Sequence, residues 1–271
     1  MSAWIKKRGN GIAYYTLEKW SDAGADMAFS TRAGGCSTGA FADANLGLHV
    51  EDDPERVILN REKFLANFRL ELGQAVCCRQ VHGDSIIRVD KQQQGRGAFF
   101  YDTSLPDCDG FVTDHPGVAL LTFYADCVPV YLFDPRRRTI AMVHSGWKGT
   151  MQRIGEKAVS AMESEYGSQA GDLWAAIGPG IGGCCFEISS SLAEEVKINF
   201  AGYENILQIR TERCYWDLPA TIQQMLQQKG VRAENIDTCS LCTACHAELF
   251  FSYRRDQGIT GRMGALLSLR Y

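Results

Sequence analysis

Histidine is scarce in this sequence, and two of its five copies stand in the same kind of place. His82 follows an apolar stretch ending at Val81 and precedes Gly83. His144 closes the run TIAMV and is followed by Ser145-Gly146-Trp147-Lys148-Gly149. Cys127 sits likewise, at the end of VALLTFYAD. Polar side chains at the mouth of a buried strand, beside glycines that let another group come close, are a common geometry for a chemical site. Two imidazoles and a thiol are donors of the kind that hold zinc. The separations from 82 to 127 to 144 match no local metal-binding spacing, so these residues alone leave two readings open. They converge on one metal, or each serves separately as a hydrogen-bonded histidine or a small buried hydrophobe.

Other groups invite chemistry too. Asp107, Asp109 and Asp126 are candidate acid–base groups, and Asp126 adjoins Cys127. Cys239, Cys242, Cys245 and His246 form C-x-x-C-x-x-C-H, which by itself reads as a second metal or redox site. Gly178, Gly180, Gly182 and Gly183 suggest a phosphate cradle, but the pattern is neither of the two glycine-rich nucleotide fingerprints, and a structural turn is the simpler reading.

These residues need elements to hold them. Runs rich in β-formers lie at 26–32, 75–81, 85–90, 118–133, 139–144 and 173–178, several of them continuously apolar, as strands buried on both faces are. The run 118–133 is too long for one strand, and Pro129 is expected to bend it or mark an edge. Asp53-Pro54 opens a helix with Val57, Phe64, Leu65 and Phe68 on one face. Thr150 is expected to cap a second helix, with Met151, Ile154, Ala158, Ala161 and Met162 inward and Gly167 as its stop. Leu218, Ile222, Met225 and Leu226 make a third amphipathic face ending at Gly230. The element order is neither a clean βαβ series nor all-β, so the fold class is α+β: a single domain over 1–271, with mixed sheets flanked by helices.

Composition narrows the partners. A net charge of −4 with no basic block longer than Arg136-Arg137-Arg138 argues against nucleic acid. No run reaches membrane-spanning length and the N-terminal stretch carries no secretory core segment, so a cytoplasmic protein is expected. Eleven cysteines, an odd number, then read as thiols and metal ligands rather than disulfides.

The segments STRAGG (30–35), NLGLHVEDDP (45–54), QVHG (80–83), DCDGFVTD (107–114), ADCVPV (125–130), VHSGWKGT (143–150), IGPGIGGCCFEI (177–188) and FFSYRRD…TGR (250–262) occur in this order. Together they resemble the laccase-domain family, also called multicopper polyphenol oxidase-like or YfiH-like, from about residue 26 onward; residues 1–25 are the less certain segment. The resemblance implies a fold similar to deamidating bacterial toxins. It also implies one zinc on His82, Cys127 and His144, with no recognised metal at the cysteines near 239–245. Three protein ligands leave a fourth position, the catalytic rather than structural pattern. The implied activity is that of a purine nucleoside phosphorylase on adenosine, inosine and 5′-methylthioadenosine, with adenosine deamination beside it. Its small-molecule partners are then a nucleoside and phosphate; the oligomeric state is not implied. Hydroxide attack at C6 of adenine suits a zinc directly. Phosphorolysis needs cations for phosphate, for which Arg32 and Lys148 are the candidates, with Asn45 as a further substrate-binding residue. Cys127, His144, His82 and Asp126 form the expected catalytic set. Glu51 stands where relatives often carry glycine, so the loop around His49 departs from the pattern.

Two alternatives compete. A copper polyphenol oxidase of the multicopper type needs roughly ten histidines against the five present, although one copper can replace zinc at such donors. A Cys127–His144 hydrolase or amidase editing cell-wall precursors would use the thiolate as nucleophile.

Overall fold

Apolar side chains alternate between two destinations along the central strands, and that alternation sets the layers. In the strand Thr139–Ser145, Ile140 and Met142 join a core shared with a second sheet, whereas Ala141 and Val143 pack under helices. Both faces are buried, which is why the run reads as continuously apolar. The computed structural model describes residues 4–9 and 11–271.

One six-stranded sheet runs in the order Ile5–Gly9, Ile12–Thr16, Ala25–Ser30, Met263–Leu269, Ala119–Tyr124, Ala75–Val76. It is antiparallel except for its last pair. The other runs Ile236–Thr238, Trp174–Ile177, Val128–Asp134, Thr139–Ser145, Gly110–Thr113, Ile86–Arg88, with parallel pairs at its two edges. The two sheets face each other across a core of Met27, Phe29, Leu120 and Leu267 against Phe111, Tyr131, Phe133 and Met142. The helix Pro54–Ala66 covers the outside of the first sheet, and Ile154–Tyr166 with Leu218–Gln228 the outside of the second. A small three-stranded sheet, Glu187–Ile188, Arg213–Trp216 and Leu207–Arg210, lies beside them. The α+β expectation holds: mixed sheets in one domain, with six helices among the described residues. Among the described residues no helix is long and apolar enough to cross a membrane.

Several boundaries differ from expectation for physical reasons. The run 118–133 breaks at Ala125–Cys127, not at Pro129: Asp126 takes φ +92° and the chain crosses from one sheet to the other. Pro129 instead lies in a central strand, just beyond the end of Trp174–Ile177, where its carbonyl accepts the Gly178 N–H. Only Ala75–Val76 of 75–81 is strand, and only 86–88 of 85–90. Thr150 caps nothing. It lies inside the short helix Trp147–Met151, its hydroxyl bonded back to the Gly146 carbonyl, and the next helix starts after Arg153 at φ +60°. The first helix opens as expected at Asp53, and the third opens at Asp217; their carboxylates accept the N–H groups of Glu55 and Ala220.

Candidate metal centre

The crossing at Ala125–Cys127 and the end of Thr139–Ser145 fall at the same edge of the sandwich, because Pro129 pairs with His144 and Val128 with Ser145. Even-numbered residues of that strand face the other sheet, so His144 points inward beside Tyr124, ring centroids 5.3 Å apart. On its far side Gly110 pairs with Val143, which sets Asp109 next to His144. The His144 N–H donates to the Asp109 carbonyl at 2.7 Å, and His144 Nδ1 lies 2.8 Å from Asp109 Oδ1. The Nε2 edge is thereby left to face other groups.

The loop carrying His82 is held by two clamps. Gln80 mimics a strand residue, its amide bonding the N–H and the carbonyl of Phe123. The fully buried Asp109 carboxylate accepts the N–H groups of Val81, His82 and Gly83. His82 is itself in the left-handed region at φ +60°, a conformation the Asp109 bonds hold in place. Its ring stands 4.9 Å from that of His144.

The donor atoms of His82, Cys127 and His144 all lie within 4.8 Å of one another. Gly146 makes room for them: a Cβ there would come within 2.9 Å of Cys127 Sγ and 3.2 Å of His82 Cδ2. One thiol, two imidazoles and a shared cradle fit a zinc ion, with Asp109 fixing the tautomer of one ligand.

Charge is arranged to match. Burial opposes ionisation of Cys127, but His144 and His82 outweigh it and hold the thiol down to about 6. Burial also works against an imidazolium at His144, yet the Cys127 thiolate and Asp109 push that ring well above its ordinary range. Asp109 is kept below the usual carboxylate range despite burial, through His144 and the Gly83 and His82 N–H groups. A lowered thiol pKa means thiolate above it. In chelator-stripped protein, alkylation at Cys127, followed by peptide mass spectrometry, is therefore expected to rise with pH through a midpoint of about 6. The other cysteines serve as internal comparison, and a midpoint near 8.5, the ordinary thiol value, would contradict the ion pair.

The centre opens into a cavity of about 720 Å³. Lys148, Arg254 and Arg262 bring positive charge to it, and Phe123, Trp147, Phe186 and Tyr253 give it aromatic walls. The expected residues divide. Lys148 lines the cavity and is exposed. Asp126 reaches its edge, but its carboxylate accepts the Thr243 hydroxyl and the Arg254 N–H, each at 2.7 Å, so it ties two loops together. Arg32 and Asn45, the other expected substrate-binding residues, are not among the residues that line the cavity, and the structure here departs from that expectation. Arg32 donates to the carbonyls of Ala42 and Ala247 and stacks over Phe251. Asn45 is buried and fastens the Gly47 and Arg262 N–H groups and the Asp52 carboxylate. Asn45 thus positions the backbone of Arg262. Arg254 and Arg262 were the cations sequence reasoning passed over, although both sit in the SYRRD and TGR segments.

Comparison with known proteins gives a consistent picture. The family model described as multi-copper polyphenol oxidoreductase laccase matches residues 26–270. The chain is 36% identical to purine nucleoside phosphorylase YlmD of Geobacillus stearothermophilus, over 92% of this chain and 91% of that one. It is 37% identical to a purine nucleoside phosphorylase of Mycobacterium bovis, over 88% and 89%. Among solved structures, YlmD from Geobacillus stearothermophilus superposes with a TM-score of 0.94 at 33% identity, covering 100% of both chains. Bacillus licheniformis hypothetical protein YfiH gives 0.91 at 34% identity, covering 98% and 99%.

Proposed function

The chain belongs to the family described as multi-copper polyphenol oxidoreductase laccase, and from that premise we propose that it is a zinc-dependent purine nucleoside phosphorylase. Its proposed substrates are adenosine, inosine and 5′-methylthioadenosine, with adenosine deamination as a second activity. The observation that carries this is the convergence of His82, Cys127 and His144 at a cavity that also receives three cations. His82, Cys127 and His144 would hold the zinc, which when bound supplies Lewis acidity. We place the protein in the cytoplasm, where its eleven free thiols suit a reducing environment.

In phosphorolysis a phosphate oxygen bonds C1′ of the ribose while the C1′–N9 bond breaks. The electron pair leaves with the purine, which takes up a proton. Lys148, Arg254 and Arg262 supply the positive field that a phosphate needs, inside a cavity whose low-dielectric walls strengthen it. Phe123, Trp147, Phe186 and Tyr253 offer ring faces for the flat base. Asp109 positions the His144 ring and the His82 loop together.

The direct test is release of free base from a nucleoside panel with and without phosphate, resolved by chromatography. Phosphate-dependent release supports the assignment; release without phosphate dependence sinks it. Lys148→Ala is expected to weaken kcat/KM for phosphate roughly tenfold. That corresponds to about 1.5 kcal/mol, the low end for a charged hydrogen bond because Lys148 is exposed. An unchanged phosphate dependence would remove Lys148 from the anion site.

One observation favours a second reading. Cys127, His144 and Asp109 line up as thiol, imidazole and buried carboxylate, the arrangement of a cysteine hydrolase. A copper oxidase gains no such support, since among the described residues two histidines, His82 and His144, belong to the converging donor set.

A further inference from the structure

Cys-x-x-Cys at 242 and 245 does not use the histidine beside it. His246 turns outward to Glu248, and Cys239 is buried in the core between the sheets. The sequence-based grouping of Cys239, Cys242, Cys245 and His246 is therefore corrected. Two cysteines from elsewhere in the chain meet the pair instead. The Cys184, Cys185, Cys242 and Cys245 sulfurs all lie within 4.8 Å of one another.

We propose that Cys184, Cys185, Cys242 and Cys245 form a second metal site that takes one zinc ion through four thiolates. It would staple the turn at 182–186 to the turn at 242–245. A zinc–sulfur bond of about 2.3 Å in a tetrahedron sets its sulfurs about 3.8 Å apart. Cys184 Sγ and Cys185 Sγ lie 3.5 and 3.3 Å from Cys245 Sγ, close to that spacing. A disulfide needs about 2.05 Å, and all four thiols are free.

Local structure explains how adjacent cysteines can share one ion. On a strand Cys184 and Cys185 would point to opposite faces, but they occupy a turn, where both side chains face Cys245. Backbone pairing of Gly180 with Cys242 brings the two turns together. The Gly182 N–H donates to Cys242 Sγ at 3.3 Å. Gly182 packs directly against both turns: a Cβ there would lie in van der Waals contact with Cys184 Sγ and Cys242 Cβ, both at 3.4 Å. Arg255 holds the second turn from behind, donating to the carbonyls of Thr243 and Ala244.

Four protein ligands close the coordination sphere, so this site is structural, unlike the three-donor centre. Its place gives it a job. The first turn leads into Phe186, Glu187 and Ile188 of the cavity wall. Thr243 in the second bonds Asp126 beside Cys127. Loading exchanges thiol protons for zinc and fixes both loops against the cavity.

The test counts zinc per chain in the full-length protein after zinc titration and removal of loose metal. Two ions are expected in the wild type. Cys242→Ser combined with Cys245→Ser should lose one of them, and Cys127→Ser should lose the other. A zinc that the double variant loses and Cys127→Ser retains supports this site even where the first centre fails, so the two readings fail separately. Cobalt substitution of the wild type guards against misfolding of the variants. Its sulfur-to-metal charge-transfer band should have the strength of five thiolate bonds rather than one. Three results would overturn the proposal. These are at most one zinc per chain that Cys127→Ser abolishes, a cobalt band of single-thiolate strength, and a native disulfide among these cysteines.

Discussion

Cys127→Ser is expected to remove bound metal and nucleoside turnover together. Serine keeps the shape but replaces a soft thiolate with a hydroxyl that stays protonated near neutral pH and binds zinc poorly. Losing an outer-shell partner alone typically costs ten- to a hundredfold in metal affinity, so loss of a direct ligand should exceed about a hundredfold. His82→Ala should give the same paired loss, because it removes another of three converging donors. A cysteine hydrolase behaves differently. Cys127→Ser would then abolish turnover while His82→Ala keeps part of it, since only His144 would serve as base. Alkylation separates the two again. A metal-bound Cys127 is shielded until a chelator is added, whereas a thiolate lying free beside His144 reacts at once. Rapid labelling of Cys127 in zinc-loaded protein would overturn the metal reading.

His82, Cys127 and His144 each close an apolar run in the sequence, but their grouping as donors comes from the family resemblance, since their spacing matches no local metal-binding motif. His144 closes a strand whose two faces are both covered, and Cys127 marks the crossing between sheets. The helix from Pro54 was legible because its start is local chemistry, a carboxylate followed by proline. Failures came where tertiary contacts decide. Arg32 looks in sequence like an available cation, but it lies away from the cavity lining, bonded to the main-chain carbonyls of Ala42 and Ala247. Arg254 and Arg262 reach the cavity only because distant loops fold over it. The four-cysteine cluster was half visible as Cys242-x-x-Cys245. Its other half became visible only with the backbone pairing of Gly180 and Cys242. The strand Met263–Leu269 has no turn signal that names its partners, yet it joins Ala25–Ser30 to Ala119–Tyr124 in the middle of a sheet.

Asp109→Asn should be the most damaging substitution outside the three donors, although Asp109 faces no substrate. Its carboxylate meets three backbone N–H groups and the His144 ring while fully buried. An amide has one acceptor oxygen, and its NH2 would be turned against donors. Either His82 and the His144 ring, which share Oδ1, or Val81 and Gly83, which share Oδ2, would then lose their acceptor. Breaking a buried charged network of this kind costs about 3–5 kcal/mol. A fall in the urea midpoint at unchanged slope would measure it. Zinc affinity should drop roughly ten- to a hundredfold, as for other outer-shell partners of metal-bound histidine. The sign with pH follows from the lowered carboxyl. Stability from a depressed carboxylate is complete above its unfolded pKa of about 3.9 and disappears as pH falls through the lower folded value. Wild type should therefore lose stability on acidification that the asparagine variant has already lost, and the two urea midpoints should converge at low pH. A variant that matched wild type in zinc affinity would show that Asp109 organises the loop alone and not the metal ligand.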